Sequence, residues 1–194
     1  MKSYVVDTAA LRSNLQNLKQ RAGGAVVWAV LKGDGYGLGL IPMASVCRDE
    51  GIDPFAVTEP REAKLLRTFG FDEAQILMLR PTGEQAEVEQ LLKMDVILTI
   101  SSQNDAAVAN GVAAQLGLRA NVHLKIDTGM GRYGFLPEET DTMVSIFKFM
   151  ENLQVTGVYT HLHSAFCSKK QTLAQAASFQ NTLHALAAEG CDTG

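Results

Sequence analysis

Cysteine is scarce in this chain of 194 residues, and its pattern excludes several classes of protein. The three cysteines, Cys47, Cys167 and Cys191, are odd in number and far apart. They therefore match neither a disulfide framework nor the ligand spacing of a zinc site. We predict reduced thiols, a cytoplasmic protein and no metal centre.

Long apolar runs and basic clusters are also missing. No run approaches the length of a membrane-spanning helix, and the first residues contain no apolar segment typical of a signal peptide. Seventeen basic against twenty-one acidic residues give a net charge of −4, without a basic patch. Neither a membrane nor a nucleic acid is therefore expected as a partner.

Hydrophobic residues, in contrast, make up 46% of the chain, and charged residues 20%. This balance is typical of a folded protein with a buried core and excludes a disordered chain. The length suits one large domain or a part of one.

Predicted strands and helices alternate along the chain. Asp7 is expected to cap a first helix that runs to about Gln20. The predicted strands are 25–31, 55–57, 75–79, 95–99, 119–126 and 155–160, and the helices that follow them are 42–50, one from about 59, 83–93, 102–116, 137–151 and 173–188. Six β-then-α units predict an α/β fold with a parallel sheet, which doubly wound proteins and barrels share.

The end of the sequence favours a barrel over an open sheet. Residues 190–194 are typical of a turn into a seventh strand, and a closed barrel needs eight strands. We therefore predict a (β/α) TIM-barrel-like fold truncated after about six β/α units, with residues 1–194 as an incomplete barrel domain.

A lysine followed by alternating glycines is the most informative segment. Residues 29–39 read AVLKGDGYGLG, with Lys32 at the end of an apolar run. Such a lysine suits a carbonyl cofactor held as a Schiff base, and glycines let backbone amides approach its phosphate. The alternatives are a lysine that merely reaches solvent and a flexible turn. A dinucleotide loop is excluded because Leu38 stands where its third glycine belongs, and the P-loop spacing fails too.

Two later strands place polar side chains on one face. Alternation puts Asn121, His123, Lys125 and Asp127 together on the fifth strand, and His161 falls on the corresponding face of the sixth. Polar side chains at the carboxyl ends of parallel strands are typical of ligand sites in α/β proteins. The alternatives are an ion pair within the strand and a structural histidine.

Four segments resemble alanine racemases. Residues 122–135, VHLKIDTGMGRYGF, contain the Lys-x-Asp-Thr-Gly-Met-Gly-Arg-x-Gly signature of that family. Residues 29–39 are similar to its cofactor-lysine motif, Thr160-His161 to its Thr-His element, and residues 7–15 to its opening helix. The segments occur in the family's order, and the similarity runs through the full chain.

The resemblance implies a pyridoxal-phosphate enzyme that interconverts L-alanine and D-alanine. Family members are homodimers with an eight-stranded barrel and a β-rich C-terminal domain, and they supply D-alanine for the cell wall. Lys32 would form the Schiff base with pyridoxal 5′-phosphate and act as one of two bases at the substrate's α-carbon. The second base would be a tyrosine from the partner's C-terminal domain.

The resemblance also assigns cofactor contacts. Tyr36 corresponds to a tyrosine that binds the phosphate, Arg132 to an arginine at the phenolic oxygen, and His161 to a histidine packed against the pyridine ring. Lys125 corresponds to a lysine that is often carbamylated and orients the arginine, with Asp127 beside it.

Some residues depart from the family's pattern. Leu38 replaces the usual histidine, and Phe166 stands where an acidic residue is commoner. Racemisation of serine or another amino acid, a non-catalytic pyridoxal-phosphate-binding barrel and a fragment with no function of its own therefore remain alternatives. Since the second base and the C-terminal domain would follow residue 194, this stretch alone is not expected to racemise alanine.

Overall fold

The computed structural model describes residues 5–193, which divide into two compact units. The first unit comprises residues 5–80 and 93–96, and the second comprises residues 81–92 and 97–193. Strands and helices alternate in both, and the strands within each unit pair in parallel. The prediction of an α/β fold is therefore confirmed.

The first unit contains three short strands. Its elements are α1 (Thr8–Ala22), β1 (Ala29–Val30), α2 (Lys32–Tyr36), α3 (Leu40–Asp49), β2 (Phe55–Val57), α4 (Pro60–Thr68) and β3 (Ile76–Met78). Phe55 of β2 lies opposite Ala29 on one side and Ile76 on the other. All residues of β2 and β3 are buried, as their uninterrupted apolar sequences predict. The predicted cap is also present, because the Asp7 carboxylate accepts the Ala10 N–H at 3.0 Å.

Arg67, near the end of α4, forms hydrogen bonds with two connecting segments of the first unit. Its guanidinium donates to the carbonyls of Phe71 at 2.6 Å and Ala74 at 2.8 Å, just before β3. It also donates to those of Met94 at 2.8 Å and Asp95 at 2.9 Å. One planar donor group thus satisfies four carbonyls that belong to no helix or strand.

The second unit contains the longer strands. Its elements are α5 (Gln85–Lys93), β4 (Val96–Ile100), α6 (Gln103–Leu116), β5 (Ala120–Ile126), α7 (Thr140–Phe149), β6 (Leu153–Thr160) and α8 (Lys169–Ala188), where Lys93 and Val96 belong to the first unit. Strand β5 pairs with β4 and β6. The register of its pairing with β6 shifts between Val122 and His123. Over residues 5–193, no helix is both long and apolar enough to cross a membrane.

Several predicted boundaries differ from the structure. The predicted strand 25–31 is reduced to β1, because only Ala29 and Val30 pair with β2, and Val26 is 73% exposed. Helix α8 begins four residues earlier than predicted because the Ser168 side chain accepts the Gln171 N–H and caps it. Helix α3 also begins earlier than predicted, and α7 later.

Candidate functional site

Lys32 follows β1 almost directly in the first unit. The preceding residue, Leu31, donates its N–H to the Ala56 carbonyl of β2 at 2.9 Å and is 3% exposed. Lys32 itself is half-buried and opens α2. Its side chain therefore leaves the backbone at the carboxyl end of a parallel strand, as predicted.

The residues after Lys32 form a left-handed turn. Residues 33–37 have φ angles of 63, 56, 61, 57 and 83° in chain order. Gly35 N–H donates to the Leu31 carbonyl at 2.8 Å, and Gly37 N–H to the Gly33 carbonyl at 2.9 Å. Glycine adopts positive φ without steric cost, whereas each L-residue costs about 1–2 kcal/mol. The alternating glycines are therefore required by the handedness of this turn.

Asp34, one of the two non-glycine residues whose φ is positive here, is held from three directions. Its carboxylate accepts the Leu40 N–H at 2.7 Å, and its carbonyl accepts the Gly39 N–H at 2.9 Å. Its own N–H donates to the buried carboxylate of Glu62 at 3.1 Å. Tyr36, on the same turn, is 66% exposed.

Lys125 lies buried on β5 in the second unit, with 2% of its surface exposed. Its Nζ donates to the Ile126 carbonyl at 2.9 Å and lies 5.8 Å from the ring centroids of both Tyr133 and Tyr159. Burial lowers the pKa of Lys125, Asp127 opposes this change, and Arg132 adds to it. The net pKa lies below its ordinary value, so a larger fraction of the amine is neutral than in an exposed lysine.

Asp127 organises the loop that follows β5. Its carboxylate accepts the N–H groups of Gly129 at 3.0 Å, Gly131 at 2.9 Å and Arg132 at 3.2 Å. Burial raises the pKa of Asp127, but the backbone donors lower it more, and the net pKa lies below its usual value. Asp127 therefore remains ionised and fixes the backbone that carries Arg132.

The Arg132 side chain is exposed and lies against Tyr133. Its Nη2 donates to the Tyr133 hydroxyl at 3.1 Å, and its guanidinium carbon lies 4.6 Å from the centre of that ring. The guanidinium is thus oriented by an aromatic face and still presents donors to solvent. Such a group can bind an anionic oxygen of a ligand.

His161 directly follows β6 and is exposed. The neighbouring backbone is fixed by Gln175 of α8, which is 5% exposed. The Gln175 side chain accepts the His163 N–H at 3.1 Å and donates to the Thr128 hydroxyl at 3.3 Å. It therefore connects the segments that follow β5 and β6.

The structure places the predicted residues in two groups. Lys32 and Tyr36 share the left-handed turn of the first unit. In the second unit, Lys125, Asp127 and Arg132 lie on β5 and its loop, while His161 follows β6. Asp127 lies close enough to Lys125 to oppose the lowering of its pKa.

Sequence reasoning missed the supporting residues Glu62, Tyr133 and Gln175. Glu62 carried a local signal, since it stands three residues after Glu59 in a capping box. Gln175 carried none, because its contact Thr128 lies 47 positions away.

Both units thus define a class of α/β protein whose basic and hydroxyl side chains follow parallel strands, where such proteins bind ligands. The profile of the family described as "Alanine racemase, N-terminal domain" matches residues 6–193. The chain belongs to this family.

Relatives and solved structures agree with this assignment. The chain is 33% identical over 190 residues to an alanine racemase of Methanococcus maripaludis, covering 96% of this chain and 50% of that protein. It matches the structure of the Clostridium difficile 630 alanine racemase with a TM-score of 0.87 and 31% identity, covering 94% of this chain and 48% of the other. A Bacillus anthracis alanine racemase with bound L-Ala-P matches with a TM-score of 0.86 and 26% identity, covering 99% of this chain and 51% of the other.

These matches confirm the predicted barrel-type α/β fold. The chain spans about half the length of the relatives that it matches.

Proposed function

We propose that this chain is the N-terminal part of an alanine racemase that uses pyridoxal 5′-phosphate and acts as a cytoplasmic homodimer. Lys32 is proposed to hold the cofactor covalently and to move a proton at the substrate's α-carbon. Tyr36 is assigned to the phosphate, Arg132 to the phenolic oxygen and His161 to the pyridine ring. A tyrosine of the partner subunit is proposed as the second base, and L-alanine and D-alanine as the substrates.

The position of Lys32 carries the proposal. A half-buried lysine at the carboxyl end of a parallel strand lies where α/β proteins bind their ligands. The left-handed turn fixes the backbone immediately after Lys32, so the side chain of this lysine starts from a defined position. The relatives' names support the substrate, since each of the proteins compared above is an alanine racemase.

The donor set of the described residues fits an anionic carbonyl cofactor. Lys32 supplies an amine, Tyr36 a hydroxyl and Arg132 a guanidinium with a fixed orientation. Asp34, on the turn of Tyr36, and Asp127, at the start of the loop of Arg132, each accept backbone N–H groups, which partly compensates their charges. When bound, pyridoxal phosphate supplies an electron sink that makes the α-carbon of an amino acid acidic.

Two bases are needed because racemisation removes a proton from one face of the α-carbon and delivers one to the other. A single amine cannot easily serve both faces. Lys32 is proposed to serve one of them, and the guanidinium of Arg132 is proposed to keep the ligand oriented while the proton moves.

Covalent trapping tests the role of Lys32. The chain is incubated with pyridoxal phosphate, reduced with borohydride, digested and analysed by peptide mass spectrometry. We expect labelling concentrated on the peptide that contains Lys32 and its loss in Lys32→Ala, because that amine is the proposed attachment point. Lys64→Ala, which removes an exposed lysine of α4, should label as the unchanged chain does. Labelling that persists in Lys32→Ala, or that is spread evenly over the lysines, would contradict the proposal.

We further propose that Lys125 is carbamylated. The ammonium would first lose one proton, and the neutral amine would then attack carbon dioxide, forming a carbon–nitrogen bond as one carbon–oxygen π bond breaks and a second proton is released, so that a negative charge replaces the positive charge of the ammonium. The lowered pKa of Lys125 supports this step, because the protonated amine cannot react. The new charge is expected to orient Arg132.

Carbon-13 NMR in labelled bicarbonate measures the carbamate directly. We expect a carbamate carbonyl signal that disappears in Lys125→Met and remains in Lys170→Met, in which an exposed lysine of α8 is removed. A signal that is equal in both variants would assign the carbamate to other amines and exclude this role for Lys125.

A further inference from the structure

We propose that Glu62 is a positioning residue, whose carboxylate holds the left-handed turn after Lys32 and thereby orients that lysine. The inference rests on the proposed function, because it concerns the attachment of the cofactor to Lys32. It is carried by the hydrogen bonds of the buried Glu62 carboxylate, which reach two separate parts of the chain.

The burial of Glu62 requires a reason. Its side chain lies in the first turn of α4 and only 5% of the residue is exposed. A carboxylate is expensive to remove from water unless hydrogen bonds compensate it. An exposed glutamate would serve equally well as an acidic residue near a helix N-terminus.

The two oxygens of Glu62 bind different parts of the chain. Oε2 accepts the N–H groups of Thr58 at 3.0 Å and Glu59 at 3.2 Å, and the Glu59 bond belongs to the capping box of α4. Oε1 accepts the N–H of Asp34 at 3.1 Å, although Asp34 lies 28 positions earlier. The second contact contributes nothing to the cap of α4.

The left-handed turn needs that acceptor. Its first internal bond runs from the Gly35 N–H to the Leu31 carbonyl, so the Asp34 N–H is one of the amides at the start of a helical turn without an acceptor inside it. Oε1 of Glu62 satisfies this amide as an N-cap side chain does in a right-handed helix.

The consequence for Lys32 follows from chain connectivity. Asp34 is two residues after Lys32, and its positive φ is unfavourable for an L-residue. Without the Glu62 contact, the turn is expected to populate other conformations, and the direction in which Lys32 leaves β1 would vary. Glu62 therefore acts on the cofactor through the backbone and touches no reacting atom.

The test compares Glu62→Gln with Glu59→Gln, which makes the same charge change in the same capping box but has no bond to the turn. A glutamine has one acceptor oxygen, so it cannot serve both sides as the carboxylate does. Without cofactor, we expect amide hydrogen exchange in residues 32–39 to become about tenfold faster in Glu62→Gln, and not in Glu59→Gln. The rate of pyridoxal-phosphate trapping at Lys32 should also fall about tenfold in Glu62→Gln and not in Glu59→Gln. This follows if the loss of the bond from the Asp34 N–H reduces the fraction of molecules in which the left-handed turn is formed.

The outcomes separate the two proposals. Unchanged exchange in Glu62→Gln overturns the inference, while trapping at Lys32 in the unchanged chain leaves the proposed function intact. Faster exchange with a normal trapping rate also overturns it, since Glu62 would then be only structural. If Glu62→Gln does not fold, exchange is measured in the unchanged chain. There the Asp34 amide should be protected although Asp34 is exposed, and exchange at the unfolded rate overturns the inference.

Discussion

Replacing Gly134 by alanine is expected to lower the free energy of unfolding by roughly 3–5 kcal/mol, combining overpacking with an unfavourable φ. A Cβ at this position would lie 2.8 Å from the Asp127 nitrogen and 2.9 Å from the Lys125 oxygen. Both are backbone atoms of the strand end and cannot rotate away. The φ of 129° adds strain for any L-residue.

The loop that carries Arg132 depends on this close approach. Phe135 N–H donates to the Lys125 carbonyl at 2.9 Å, and Asp127 N–H donates to the Phe135 carbonyl at 2.8 Å. A methyl group on residue 134 would push these segments apart and break both bonds. The same substitution should therefore release the backbone around Arg132 as well as reduce stability.

Gly131→Ala is the matched control for Gly134→Ala. Gly131 lies in the same loop with a φ of 70°, but a Cβ there would meet no atom within 4 Å. We expect a loss of about 1–2 kcal/mol from the positive φ alone. Urea unfolding followed by far-UV circular dichroism measures both variants, since the single tryptophan, Trp28, lies in the first unit. Equal losses in the two variants would show that the close approach is not important for stability.

Acidification from pH 6.5 to pH 4 is expected to reduce the free energy of unfolding by about 3 kcal/mol through His123 alone. Burial lowers the pKa of His123 from 6.5 to about 4. Its ring packs against Gly157, whose added Cβ would lie 2.8 Å from Nε2, and its centroid lies 6.4 Å from that of Tyr159.

The sign follows from which state binds the proton. Between pH 6.5 and pH 4 the unfolded chain is protonated at His123 and the folded chain is not. Protons therefore favour unfolding in this window, and the stability present above pH 6.5 is lost as the pH falls to about 4.

Urea unfolding at several pH values separates His123 from the carboxylates. In His123→Gln, the decrease over this window should be smaller than in the unchanged chain by about 3 kcal/mol, which is the contribution of this histidine. His184→Gln, which changes an exposed histidine of α8, should retain the full decrease. Parallel curves for the unchanged chain and His123→Gln would contradict the assignment.

The candidate site was predictable where its signals were local. Strand alternation placed Lys125 and Asp127 on one face, and the family motifs singled out Lys32, Tyr36, Arg132 and His161. The extreme burial of Lys125 was not predictable, because it depends on Tyr133 and Tyr159, which approach from the following loop and the next strand.

The glycines after Lys32 show, within one segment, which features the sequence predicted and which only the structure revealed. Their spacing indicated a backbone with unusual freedom, and the sequence interpretation linked it to anion binding. The structure shows that all four take positive φ, three of them within the left-handed turn. One N–H of that turn donates to Glu62, which lies on a helix 28 positions later.

By itself, the sequence determined the alternation of strands and helices, the cap at Asp7, the polar face of β5 and the family, because these depend on residues a few positions apart or on contiguous motifs. Only the tertiary structure decided the length of β1, the left-handed turn and the roles of Glu62 and Gln175. These features depend on hydrogen-bond partners that become neighbours only after distant segments pack together. No local sequence pattern determines which distant segment will pack against these residues.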